Sequence, residues 1–148
     1  MSAMNPVHAV DDPLLATFGR LLEAANRLER DLGTRMEFES DLPHSWFEVL
    51  LRLVHSPEGR MSMGSLAEEV TLTTGGVTRL LDRMTSAGLV DRAPCASDRR
   101  VTWAVITPEG RRRVERAARA HRAALRDTFD SFSDTDLRRL DALLDRLR

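Results

Sequence analysis

The chain has 148 residues, 42% hydrophobic and 30% charged, which suits one compact domain with a real core and excludes both a disordered tail and two independent folding units. No apolar run approaches the roughly 18–20 residues of a membrane span, and no basic-then-apolar stretch marks a secretory signal; with one cysteine, Cys95, an internal disulfide framework is excluded and a cytoplasmic protein is expected. The net charge of −1 hides a segregation: all 22 basic residues are arginine, the span 11–41 carries four of them against eight acidic residues, and the span 73–119 carries ten against five.

Residues 1–12, with Pro6, two aspartates and no periodicity, are expected to form a loose arm before a single domain over 13–148. From Pro13, the positions Leu14, Leu15, Phe18, Leu21, Leu22, Ala25, Leu28 and Leu32 recur at helical spacing, predicting a helix that stops near Gly33. A second helix is expected from about Pro43, burying Trp46, Phe47, Val49, Leu50, Leu53 and Val54, and Ser56-Pro57-Glu58-Gly59 reads as a turn. Ser62 is placed as the N-cap of a short helix ending near Val70, with Met61 before it set to staple on Leu66. Thr73 is a second N-cap, opening a helix that turns Val77, Leu80, Leu81 and Met84 inward and ends at Gly88. Two short helices with so brief a break have the spacing of a helix-turn-helix.

The only β-like region follows. Leu89-Val90 leads into the polar loop Pro94-Cys95-Ala96-Ser97-Asp98-Arg99-Arg100, after which Val101, Trp103 and Val105 alternate with Thr102 and Ala104. Two strands around a basic tip make a hairpin. Thr107-Pro108 restarts a helix expected over about 108–131, and Ser133 with Asp136 caps a last helix striped by Leu137, Leu140, Leu144 and Leu147. The expected fold class is mainly α with a small β-hairpin wing: a winged helix-turn-helix lobe at about 43–107, flanked by helices at about 13–33 and 108–148.

A helix entering the major groove needs small residues in its first turn and long polar ones further along. Thr74, Gly75, Gly76 and Thr78 meet the first requirement, and Arg79 and Arg83, one turn apart, meet the second. Each glycine costs a helix about 1 kcal/mol against alanine, so two together suggest close approach of the backbone to something. The plainer alternative is that Arg79 and Arg83 are solvated and pair with Asp82 or others. At the hairpin tip, Asp98-Arg99-Arg100 offers two guanidiniums and a carboxylate able to brace one of them, against the plainer reading of a solvated turn.

Taken in order, Leu66-Ala67, Gly76-Val77-Thr78-Arg79-Leu80-Leu81-Asp82-Arg83-Met84, Gly88-Leu89-Val90, Asp98-Arg99-Arg100 and Ile106-Thr107-Pro108-Glu109-Gly110 resemble the MarR family of winged-helix regulators. The resemblance spans roughly 14–148 and is most specific over 62–110. It implies a recognition helix at 74–86 with Thr74, Thr78, Arg79 and Arg83 facing the groove or its phosphates. It also implies a wing whose Arg100 reaches into the minor groove beside Arg99, with Asp98 as the bracing carboxylate. The first and the last two helices would interlock in a homodimer on a pseudo-palindromic operator in double-stranded DNA. Family members commonly release DNA on binding small aromatic or phenolic acids in a crevice between the dimerisation helices and the DNA-binding lobe. Independently of the resemblance, apolar stripes on helices flanking an already closed lobe must be buried somewhere, and two-fold pairing is the commonest solution.

Candidates for that crevice are His44, Trp46 and Phe47 on the second helix and His121 on the long helix, although Trp46 also fits plain core. No metal is expected, because Ala117 and Leu125 stand one turn either side of His121. Cys95 reads as a small wing residue, Trp103 as packed against the recognition helix, and Arg111-Arg112-Arg113 as a solvated helix start. No cofactor and no enzyme activity are expected: there is no Gly-rich phosphate loop and no cysteine paired locally with histidine. The rival class is a winged helix kept as a protein-docking scaffold without DNA affinity. A weaker third is a small-molecule-binding or catalytic helical protein.

Overall fold

The computed structural model describes residues 9–70 and 74–147. The first eight residues of the expected arm and the N-cap expected at Thr73 lie outside the described residues. A 3-10 turn at Ala9–Asp11 leads into α1, Pro13–Ser40. Asp12 caps it by accepting the Leu14 N–H at 2.8 Å, with Pro13 in the first turn.

The helix does not stop at Gly33 but runs on to Ser40. Gly33 is buried against His44, where an added Cβ would sit 3.5 Å from the imidazole, and its neighbours Leu32 and Met36 enter the core. Burying those two side chains outweighs the roughly 1 kcal/mol a mid-helix glycine costs. The stop comes where Asp41 turns left-handed (φ 52) with its N–H on the Glu37 carbonyl, and where Pro43 bars a helical Leu42.

Helix α2, His44–His55, buries Phe47, Val49, Leu50 and Leu53, and a 3-10 turn at Pro57–Gly59 follows. A strand that the sequence does not advertise comes next: β1, Arg60–Ser62, which has one buried side chain and is too short to show alternation. Ser62 then caps α3, Met63–Glu69, accepting the Ser65 N–H at 3.1 Å, with Met61 and Leu66 both buried. Helix α4, Thr74–Ser86, is followed by Gly88 at φ 74.

Strands β2, Val90–Pro94, and β3, Thr102–Ile106, form the hairpin, and the antiparallel sheet runs β1-β3-β2. Its register corrects the expected alternation. Ala104 lies between Met61 and Arg92, and Ile106 opposite Val90, so this face of β3 is the buried one. Trp103 belongs to the other face, pairing with Ser62 and Ala93, where the Arg60 guanidinium stands 4.9 Å over its ring. It is therefore turned away from the face that meets α4, contrary to the sequence expectation.

Helix α5, Pro108–Thr128, is stapled at its start to the end of α4. The Thr107 hydroxyl donates to the Gly88 carbonyl (2.7 Å) and accepts the Gly110 N–H (3.0 Å), while the Thr107 N–H reaches the Leu89 carbonyl at 3.1 Å. Gly110 is required by that approach, since a Cβ there would lie 2.2 Å from the Leu89 oxygen. Helix α6, Asp134–Asp145, begins at a capping box of Ser133 and Asp136 and buries none of its side chains.

One core joins α2, α3, α4, the inner sheet face and the α5 residues Val114 and Ala117. Helix α1 packs along α5, yet its N-terminal half leaves Leu14 (72%), Leu15, Phe18 (56%) and Leu22 exposed, as α6 leaves Leu143 and Leu144 and the residues after it leave Leu147. Among the described residues no helix is long and apolar enough to cross a membrane.

Candidate nucleic-acid interface

Helix α4 is positioned by its apolar stripe. Val77, Leu80, Leu81 and Met84 are buried in the lobe, which forces Gly75, Arg79, Asp82 and Arg83 outward, with Thr78 partly covered between the two faces. Thr74 opens the helix, and its side chain lies outside the described residues. Nothing lies within 4 Å of a Cβ added at Gly75, so no internal packing demands the glycine there.

The plainer reading has the two arginines solvated and paired with Asp82 or with other acids. Instead, Arg92 on β2 takes that carboxylate, its Nη2 standing 2.8 Å from Asp82 Oδ1 and 3.1 Å from the Thr78 carbonyl. Among the described residues neither the Arg79 nor the Arg83 guanidinium has a partner. Sequence inspection passed over Arg92. The one available signal was its place in the strand, two residues beyond a buried Val90 and hence on the inner face.

At the hairpin tip the bracing carboxylate is present. Asp98 Oδ1 accepts the Arg100 backbone N–H (3.0 Å) and Nε (3.1 Å), and Oδ2 accepts Nη2 (3.2 Å), a forked pair that fixes the direction of a side chain otherwise 91% exposed. The Arg100 guanidinium in turn holds the Asp98 carboxyl below the ordinary carboxylate range. Arg99 is exposed beside it. The tip closes through Val101 N–H to the Asp98 carbonyl and Cys95 N–H to the Val101 carbonyl, both 3.0 Å. Hydrogen bonds centred on Ser97, then Asp98 and Trp103, bring the Cys95 thiol down to about 7.

A second cluster sits where α1, α2 and α5 meet. Phe47 and His121 pack edge to face with ring centroids 5.5 Å apart, and His44 lies near enough to act on the same imidazole. Burial, then the charge of His44, lowers the His121 pKa, and its Nδ1 is buried without a partner among the described residues. Trp46 is two residues from His44 and so about 200° around the helix; it packs half-buried against the main core. Beside His44, a cleft of about 350 Å³ opens along α1 between Gly33, Thr34 and Glu37. Of the three arginines opening α5, Arg111 reaches over Gly59, Arg112 pairs with Glu109, and Arg113 donates to the Asp41 carbonyl, tying α5 to the end of α1. Among the described residues no group of three or more His, Cys, Asp or Glu side chains is placed to hold a metal ion.

The stretch from Ser40 to Val101, which holds α2, the sheet's first two strands and both helix-turn-helix elements, matches a family model described as the MarR family. AbsC of Streptomyces coelicolor, a MarR-family transcriptional regulator, is 30% identical with a TM-score of 0.80 over 92% of each chain. The chain belongs to the MarR family. It is thus a transcriptional regulator of the winged-helix type, in a family that is not one of enzymes. A second MarR-family regulator of Streptomyces coelicolor, Sco3205, solved in complex with DNA, is 27% identical with a TM-score of 0.80 over 95% of this chain and 90% of that one. The transcriptional repressor IacR of Pseudomonas putida is 29% identical over 59% of this chain and 52% of its own. The first three curated relatives are matched over 54%, 74% and 52% of their lengths.

Proposed function

We propose that this MarR-family regulator is a homodimeric, sequence-specific repressor that grips a pseudo-palindromic operator and lets go on binding a small aromatic or phenolic acid. The observation that carries the DNA-binding part is on α4. The one acid on its outward face is occupied by Arg92, which among the described residues leaves Arg79 and Arg83 partnerless toward solvent, beside a first turn whose Gly75 no described residue packs against. Thr74 and Thr78 flank them at the groove, and Arg99 with the braced Arg100 would follow the adjacent minor groove. The DNA complex of Sco3205 and the repressor IacR support the reading by kinship.

Pairing is supported by the exposed leucines and Phe18 of α1 and the bare apolar side chains of α6. A two-fold dimer would set two recognition helices about 34–36 Å apart. His44, Phe47 and His121 are the residues we assign to the effector crevice, with a carboxylate as the natural partner of a buried imidazole nitrogen; Trp46 is left to the core.

The test is selection of duplexes from a random pool, followed by affinity measured against salt. Neutralising about 6–10 phosphates lowers affinity by roughly 10³–10⁵ between 50 and 200 mM salt. Weak binding that is flat in salt would favour the docking scaffold instead. Release of the selected duplex by an aromatic acid, lost in His121→Leu, tests the crevice.

A further inference from the structure

We infer that Arg92 is a positioning residue of the reading surface: it holds Asp82 away from Arg79 and ties the recognition helix to the wing. This rests on the DNA-binding function proposed above and deepens it. The sheet register aims Arg92 at α4. Opposite Arg92 is Ala104, and opposite Ala104 is Met61, all on the face that meets the helices; Ala104 has the smallest side chain of the three, leaving room for the long one to reach over. One nitrogen, Nη2, then spans two neighbours one turn apart on α4, the Thr78 carbonyl and the Asp82 carboxylate. A strand is thereby fastened to a helix through a single side chain.

The chemical need for the fastening lies in Asp82 itself. It is a carboxylate on the outward face, more than half exposed, in a helix that must approach polyphosphate. Without Arg92 it would have the guanidinium of Arg79 within reach, since residues three apart lie on one helix face and attract when oppositely charged. An Arg79–Asp82 pair would turn the arginine back along the helix surface and remove it from any base or phosphate. Arg92 prevents this by taking the carboxylate from the strand side. A cation spent on an internal acid thus keeps another cation outward.

Three variants separate this from the simpler possibilities: R92A, D82N and the double variant R92A/D82N, each compared with the parent on the selected duplex across salt. R92A is expected to bind roughly 5- to 150-fold more weakly per protomer, the range for losing one arginine contact to a base, with a shallower salt dependence. D82N is expected to bind at least as well as the parent. The decisive variant is the double one, in which no acid remains to capture Arg79: affinity and salt slope should return most of the way to the parent's. If Arg92 were itself a phosphate contact, or only a structural tether, the double variant would stay as weak as R92A, and the inference would be overturned.

A readout without DNA keeps the two ideas apart. In a crystal structure of free R92A, Asp82 should lie within ion-pair distance of Arg79. An Asp82 that leaves Arg79 untouched overturns the inference whatever the DNA result. Should the parent bind no duplex while that pair forms, the DNA-binding proposal fails and the positioning role of Arg92 stands. R92Q, which keeps the aliphatic stem, carries the same expectations if R92A does not fold.

Discussion

Asp98→Ala is the substitution for which two physical effects predict opposite signs. The carboxylate makes three hydrogen bonds to Arg100, one to the backbone and two to the guanidinium, so the free protein already holds that arginine in one direction. Losing the brace leaves a long, exposed side chain to be ordered when DNA arrives, at about two- to twelvefold in affinity per protomer. Against this, deleting the negative charge removes a repulsion that, for a phosphate about 6 Å away, would be worth about threefold in water and under twofold once screened at physiological salt. Ordering wins. Over the two protomers of a dimer the variant should bind its operator roughly 2- to 50-fold more weakly at 0.15 M salt, with the slope against salt unchanged because no cation has been lost. Arg100→Ala, by contrast, should weaken binding and lower the slope by about one per protomer. Fluorescence anisotropy on the selected duplex reads both quantities, with circular dichroism to verify folding. An Asp98→Ala protein that binds as tightly as the parent, or more tightly, would refute the brace.

Phe18→Asp places a charge in the middle of the exposed α1 stripe and should turn the proposed dimer into a folded monomer, seen by analytical ultracentrifugation; a persisting dimer would put the interface elsewhere. His121 binds a proton less readily in the folded protein than the ordinary value of 6.5, mainly because it is buried. As pH falls through 6.5 the unfolded chain is protonated first, so stability should drop below that pH and level off beneath the folded pKa, and urea unfolding of His121→Leu should show a weaker drop than the parent. Cys95 should be alkylated by iodoacetamide with a pH midpoint of about 7, against an ordinary 9.0. Ser97→Ala should move that midpoint upward, since Ser97 contributes most to the depression.

What could be read from sequence follows from the range of the interaction concerned. Ser62, Thr107 and Ser133 cap the helices they were expected to cap, because a cap is a contact between residues two or three apart and the chemistry is written locally. Gly88 ends α4 for the same reason. Gly33 misled because its role is a contact with His44, eleven positions on, that no local pattern carries. The strand β1 and the buried face of β3 were hidden in the same way: a strand of three residues has no visible period, and which of two alternating faces turns inward depends on the partner strand. On α2, helical spacing alone separates Trp46 from His44 and Phe47, and only the packing of α5 adds His121 to the latter pair.

The charge segregation seen in the sequence has a structural sequel that a net count conceals. Of the five acids between residues 73 and 119, Asp82 is held by Arg92, Asp98 by Arg100, Glu109 by Arg112 and Glu115 by Arg119. Only Asp91 lacks such a pair among the described residues. Two further arginines are turned to internal work, Arg111 over Gly59 and Arg113 on the Asp41 carbonyl. The excess of five positive charges is therefore not spread evenly: the remaining exposed cations of this span, with no acid or carbonyl partner among the described residues, are Arg79 and Arg83 on α4, Arg99 on the wing and Arg116 further along α5. Exposed ion pairs contribute little to stability, so keeping four of them on this surface has small value for folding alone. Their consequence is electrostatic. Two of them, Asp82–Arg92 and Asp98–Arg100, neutralise the acids of α4 and the wing tip, so a polyanion approaching that side meets a field with few negative breaks in it.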